Sequence, residues 1–123
     1  MNGMTKNKTT IDDYRITLLS TNNIDLYALR DNDRKEDYYF NERIFTKIEQ
    51  DGFIDDMFKL CGALFGRGDC DVFDAKQCKV LKTWLEERIK ITADQETKKV
   101  YEKMLEFANF ALKHNTGIEF SFK

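Results

Sequence analysis

The sequence predicts an α+β domain in which about four amphipathic helices pack on a small antiparallel sheet. Residues 14–20 are rich in β-prone side chains, residues 118–122 alternate apolar with polar side chains, and four segments between them have helical periodicity. The 123 residues include 41% hydrophobic ones and no run long enough to cross a membrane. This composition is typical of a globular chain with a buried core.

The N-terminal residues indicate the compartment. Residues 1–9 contain lysines but no apolar block, so they do not have the pattern of a signal peptide. We interpret them as a flexible polar tail and residues 10–123 as a single globular domain. Three cysteines without an export signal favour reduced thiols and a cytoplasmic location.

A hairpin is predicted at the start of the domain. Tyr14–Ser20 and Ile24–Arg30 are two β-prone runs around a short Thr-Asn-Asn stretch. Ile24–Arg30 also suits a helix, and the sequence leaves both possibilities open. The charged stretch Arg30–Asp37 is interpreted as a loop or as the entry to a helix.

Two helices are predicted in the middle of the chain. Apolar residues recur at three- and four-residue steps from Glu36 to Gln50, and Gly52 can take a left-handed cap after them. Residues 53–65 are apolar around most of a helix, so this second helix is expected to be largely buried. Gly66 and Gly68 are expected to close it.

The stretch "GRGDCDVFDAKQC" is predicted to be a connector that ends in a helix cap. Asp74 and Gln77 have the spacing of a capping box, and Phe73 and Cys78 occupy the positions of a hydrophobic staple. A helix with Trp84 on its apolar side follows.

One more helix and a strand complete the predicted elements. Thr92 and Gln95 repeat the capping-box spacing before a long amphipathic helix, which Asn115 and the two residues after it should stop. Residues 118–122 then alternate as a strand does, with Ile118, Phe120 and Phe122 on one face and Glu119 and Ser121 on the other. This strand is expected to pair with Tyr14–Ser20.

No metal or cofactor is expected. An EF-hand loop that starts at Asp69 would lack its glycine and its final glutamate, because Asp74 and Val80 occupy those positions. The cysteines at positions 61, 70 and 78 lack the close pairs of structural zinc sites. The Arg-Gly-Asp tripeptide at 67–69 would need an extracellular setting to act as an adhesion signal.

Catalysis has little support in the sequence. His114 is the only histidine, and no nucleophile elbow or phosphate-binding loop is present. Pairs of acidic residues are adjacent in sequence and point in different directions on a helix, so they do not form an acid/base pair. We therefore expect a non-enzyme, with a small carboxylate-dependent enzyme as the less favoured alternative.

Charge is distributed unevenly along the chain. The formal net charge is −2, which argues against a nucleic-acid binder. Residues 10–74 contain fifteen Asp or Glu against eight Lys or Arg, whereas residues 75–123 contain seven against ten. An acidic half of this size can steer a basic protein partner, although a simple solvated surface has the same pattern.

In size, acidity and an aromatic helical body that ends in "LEFANFALKHNTGIEFSF", residues 36–123 resemble the small cytosolic immunity proteins of bacterial toxin systems. The resemblance implies that the chain neutralises a toxin or nuclease by masking it, without a cofactor. It rests on no motif and assigns no residue a role.

A contact region follows from charge and aromatic content. Carboxylates match a basic active site and aromatic rings supply contact area, which favours Asp31, Asp33, Glu36, Asp37, Tyr38 and Tyr39. The alternative is that the rings belong to the core and the charges are solvated. We expect a monomer or weak homodimer that binds neither nucleic acid nor membrane.

A subunit or adaptor of a larger assembly is the second hypothesis. It would use the C-terminal strand or an aromatic patch as its interface.

Overall fold

The computed structural model describes residues 14–21, 31–65 and 70–122, and in them four helices and four strands follow one another. The strands are β1 (Tyr14–Leu19), β2 (Arg34–Phe40), β3 (Cys70–Phe73) and β4 (Ile118–Ser121). The helices are α1 (Glu42–Gln50), α2 (Phe53–Cys61), α3 (Ala75–Ile91) and α4 (Gln95–His114), and a 3-10 turn spans Asp31–Asp33.

All four strands form one antiparallel sheet in the order β2-β1-β4-β3. The α+β fold class is therefore confirmed. The predicted pairing of the first and last strands is also confirmed, with Ile16 opposite Phe120. The C-terminal strand is thus central, and β2 and β3 lie at the two edges.

The predicted N-terminal hairpin is wrong in its partner. Both edges of β1 are occupied, one by β4 and the other by β2. Residues 24–30, the predicted second strand, lie outside the described residues.

The predicted helix from Glu36 is wrong in its first part. Arg34–Phe40 is a strand, and the helix begins only at Glu42. Tyr38 and Phe40 alternate with more exposed neighbours, as on a strand, and Asn41 caps α1 by accepting a hydrogen bond from the Ile44 amide. The apolar spacing of these residues also fits a helix, and pairing with β1 makes them a strand.

Glycines end α1 and α2 by taking left-handed backbone conformations. Gly52 has φ of +90°, as its position after α1 predicts, and Gly62 has φ of +74°. The second helix therefore stops at Gly62, before the predicted glycines at 66 and 68, which lie outside the described residues. It is also less buried than expected, since Phe58 is 54% exposed.

Asp74 begins α3 with the predicted capping box. Its carboxylate accepts from the Gln77 amide at 2.9 Å, and the Gln77 side chain accepts from the Asp74 amide at 3.1 Å. Phe73 and Cys78, at the staple positions, are both buried. The connector prediction is wrong for Cys70–Phe73, because these residues pair with β4 as β3.

Replacing Asp74 with alanine is expected to lower the free energy of unfolding by about 1 kcal/mol, because an N-terminal amide of α3 loses its acceptor. Chemical denaturation measures the change. Asp74→Asn is the matched control, since asparagine caps equally well and should stay within about 0.3 kcal/mol of wild type. Equal losses in the two variants would show that charge, and not capping, is the contribution of Asp74.

The capping box predicted at Thr92 is wrong by two residues. Asp94 is the N-cap of α4 and accepts from the amide and the hydroxyl of Thr97, at 2.9 and 2.8 Å. The Thr97 amide and the Lys47 ammonium hold the pKa of Asp94 at about 2. At the other end Asn115 stops α4 in the left-handed conformation, as predicted.

The core lies between the helices and one face of the sheet. Ile16 and Phe120 of the sheet are fully buried there, together with Phe53 of α2 and Phe107 of α4. Aromatic stacking contributes to the packing, for example between Tyr14 and Phe45 with ring centroids 4.3 Å apart. None of the helices in the described ranges is both long and apolar enough to span a membrane.

Candidate functional site

The six residues of the predicted contact region lie on the 3-10 turn and on β2. Asp31 and Asp33 are in the turn. The other four alternate along an edge strand, so that successive side chains point to opposite faces of the sheet. They therefore do not form one continuous acidic patch.

Glu36 and Tyr38 lie on the helical side of the sheet, beside Lys103 of α4. The Lys103 ammonium is 3.4 Å from the Glu36 carboxylate and 5.8 Å from the centroid of the Tyr38 ring. It also bonds Glu106, and the hydrogen bonds to Glu106 and Glu36 raise the pKa of Lys103. Lys103 thus offsets part of the charge of Glu36.

Asp37 and Tyr39 lie on the other face. The Asp37 carboxylate accepts from the hydroxyl of buried Thr17 at 2.6 Å and is itself exposed. Tyr39 is 50% exposed, an unusual state for a large aromatic side chain. These two residues present a carboxylate and a ring to solvent from the outer face of β2.

A buried carboxylate on the outer face of the sheet holds two arginines. Glu119 is 1% exposed, 3.1 Å from Arg34 Nε and 3.5 Å from Arg15 Nη2. Glu119 points to the face opposite Phe120, as the alternation predicts, and it is covered there. Arg15 and Arg34 come from β1 and β2, so the cluster ties three strands together.

The outer edge of β2 is the open edge of this part of the sheet. Within residues 14–21, 31–65 and 70–122, no strand pairs with it. The C-terminal strand, in contrast, is paired on both sides. Among the described strands it therefore has no free edge to which a partner strand could be added.

The described thiols are not poised for reaction. Cys78 is fully buried, and burial raises the pKa of its thiol to about 12. Burial also raises the pKa of Cys61. No three His, Cys, Asp or Glu residues in the described ranges are grouped so that they could hold a metal ion.

His114 and Asp71 are titratable groups of the described residues that lie on different elements. His114 packs against Phe110 with ring centroids 4.1 Å apart, at the end of α4. Asp71 lies on β3, at the other edge of the sheet from β2, and desolvation raises its pKa. Within the described residues no hydrogen bond or ion pair joins His114 to Asp71.

The structure shows a small α+β domain whose edge strand β2 carries basic and acidic side chains together. Comparisons of the chain with protein-family models, with curated proteins and with solved structures found no match.

Sequence reasoning missed three residues that shape the contact region. Lys103 and Arg34 bring positive charge next to the predicted carboxylates, and Lys35 packs on the Phe110 ring at 5.2 Å. The positions of Arg34 and Lys35 next to the acidic run could have suggested a mixed surface. Lys103 is distant in sequence, and only the packing of α4 brings it to β2.

Proposed function

We propose that this chain is a non-catalytic protein-binding domain, an immunity or inhibitor protein that masks a basic toxin or nuclease in the bacterial cytoplasm. The open edge of β2, with exposed Glu36, Asp37 and Tyr39, carries the proposal. Masking needs no cofactor, since it depends on covering the partner's active site.

The edge strand supports binding in two ways. Its outer backbone groups can pair with an extended segment of a partner, which is a common mode of peptide recognition. Its charges also protect it from pairing with a second copy, because charged side chains on an edge oppose strand association. In this proposal Glu36 and Asp37 attract the basic residues of the partner.

The carboxylates and the ring have separate roles in this proposal. Glu36 and Asp37 attract lysines and arginines, which mainly raises the association rate and depends on salt. Tyr39 is half exposed and adds apolar contact area, which slows dissociation. Because Asp37 accepts from Thr17, its carboxylate is already oriented toward the outer face.

Neutralising the edge with Glu36→Gln and Asp37→Asn is expected to slow association with the partner about three- to tenfold at low salt. Co-purification from native lysate and mass spectrometry identify the partner, and stopped-flow mixing of the purified pair gives the rate. Wild-type association should also slow as salt rises.

The matched control is Glu49→Gln with Glu102→Gln, which removes the same charge from exposed sites on α1 and α4. The association rate of this control should stay within about twofold of wild type, because only charges near the interface strongly accelerate the approach of the partner. An acidic partner surface, or equal rates for the edge variant and wild type at low salt, would show that β2 is not the contact.

A further inference from the structure

A second surface with different chemistry lies between α2 and α3. It is a groove of about 680 Å³ whose apolar lining includes Leu60, Val80, Trp84 and Ile91. Its position beside α3, which follows β3, places it near the opposite edge of the sheet from β2. The groove is therefore independent of the proposed β2 interface.

Trp84 is held rigidly in this groove. Its indole nitrogen donates to Asp56 at 2.8 Å, and the Arg88 guanidinium lies 4.5 Å from the ring centroid. Arg88 in turn donates to the Asp51 carbonyl at 2.6 Å and pairs with the Asp51 carboxylate at 3.1 Å. Tyr101 donates to the same carboxylate at 2.6 Å. A ring fixed in this way loses little conformational entropy when a partner covers it.

The two ends of the groove expose aliphatic side chains. Leu60 is 56% exposed, and the bond of 3.3 Å from the Gln77 side chain to the Cys61 carbonyl holds this end beside the start of α3. Ile91, the last residue of α3, is 75% exposed. The helix from Lys76 to Ile91 is ~22 Å long, so the apolar surface extends over about four helical turns.

The uncompensated charge of the groove is positive. Lys76 and Lys79 line it, are exposed, and make no ion pair within the described residues. Glu87 is 3.3 Å from Lys90, and Arg88 is paired with Asp51 and Asp56. Free positive charge is thus concentrated where α3 begins, next to Leu60.

We propose that this groove binds an amphipathic α-helix of a partner protein, with an apolar stripe on Trp84 and carboxylates opposite Lys76 and Lys79. The length and openness of the surface fit a helix of about four turns. Acidic residues at one end of that helix would pair with Lys76 and Lys79. Trp84 is the central anchor, since tryptophan in a fixed, partly desolvated position is a frequent binding hot spot.

The test uses a synthetic helical peptide of about 15 residues with leucines three and four apart and glutamates toward one end. Trp84 is the only tryptophan of the chain, so its fluorescence reports occupancy of the groove directly. The acidic peptide should change the emission saturably. A peptide with lysine in place of each glutamate, and a scrambled acidic peptide, should bind at least about tenfold more weakly.

Substitutions in the groove test which residues contact the peptide. Two double variants should each lower the affinity for the acidic peptide about tenfold. They are Lys76→Glu with Lys79→Glu, and Leu60→Ser with Ile91→Ser. These four sites are exposed, so circular dichroism should show an unchanged fold. Lys98→Glu with Lys99→Glu makes the same charge change on α4, away from the groove, and should leave binding within about twofold of wild type.

Three results would overturn the proposal. They are no emission change with the acidic peptide, equal binding of the basic or scrambled peptide, and unchanged affinity in the lysine variant. A dimer in sedimentation that Leu60→Ser with Ile91→Ser dissociates would assign the groove to a second copy instead of a partner helix.

Discussion

Replacing Phe120 with alanine is expected to lower the free energy of unfolding by about 3–5 kcal/mol. Phe120 is fully buried on the central strand β4. Its ring centroid lies 4.7 Å from that of Phe73 and 5.4 Å from that of Phe65, so its removal leaves a cavity that rigid neighbours cannot fill. We expect this to be among the most damaging single truncations.

Urea denaturation followed by circular dichroism measures the loss. Phe58→Ala is the matched control, because Phe58 is 54% exposed on α2 and its truncation should cost less than about 1 kcal/mol. Similar losses in the two variants would mean that the core is not centred on β4.

Replacing Glu119 with alanine is expected to lower the free energy of unfolding by about 2–3 kcal/mol. The Glu119 carboxylate is 1% exposed and serves Arg15 and Arg34, which are 27% and 23% exposed. Breaking a fully buried pair typically costs about 3–5 kcal/mol, and the partial exposure of both arginines lowers the expected value because they can turn toward water.

A double-mutant cycle with Arg34→Ala separates the pairing from the loss of side-chain volume. A coupling energy of about 1 kcal/mol or more is expected, and Glu119→Gln should recover part of the loss by keeping one acceptor. Glu102→Ala, at an exposed site on α4, serves as the control and should lie within about 0.5 kcal/mol of wild type. A coupling near zero would show that Glu119 contributes through packing alone.

Several signals that act over a few residues predict the structure correctly, although the capping box at Thr92 does not. The capping box at Asp74, the left-handed Gly52 and the stop at Asn115 depend on groups within one helical turn. The alternation in residues 118–122 also predicted β4, since the strand buries one apolar face.

Short edge strands were not recognised. β3 has four residues, and Asp71 interrupts its apolar pattern. β2 carries charged residues over its first half, and the spacing from Tyr39 to Ile48 fits a helix as well. In both cases the backbone is held by pairing with a strand that is distant in sequence.

In the predicted contact region, too, the sequence indicates which residues are present and the tertiary packing decides what they contact. The sequence groups carboxylates and tyrosines between residues 31 and 39, and in the structure Glu36, Asp37 and Tyr39 are exposed. The sequence does not indicate that Glu36 and Asp37 point to opposite faces of the strand. On one face Glu36 pairs with Lys103, and on the other Asp37 accepts a hydrogen bond from Thr17.

By itself the sequence determined the α+β class, most helix ends and the unequal charge of the two halves, because each follows from composition or from contacts within a few residues. The tertiary structure alone decided the order of the strands, the burial of Glu119 between two arginines, and the groove around Trp84. These depend on which distant segments pack together, and that choice is made by the joint burial of apolar faces, which no local pattern records.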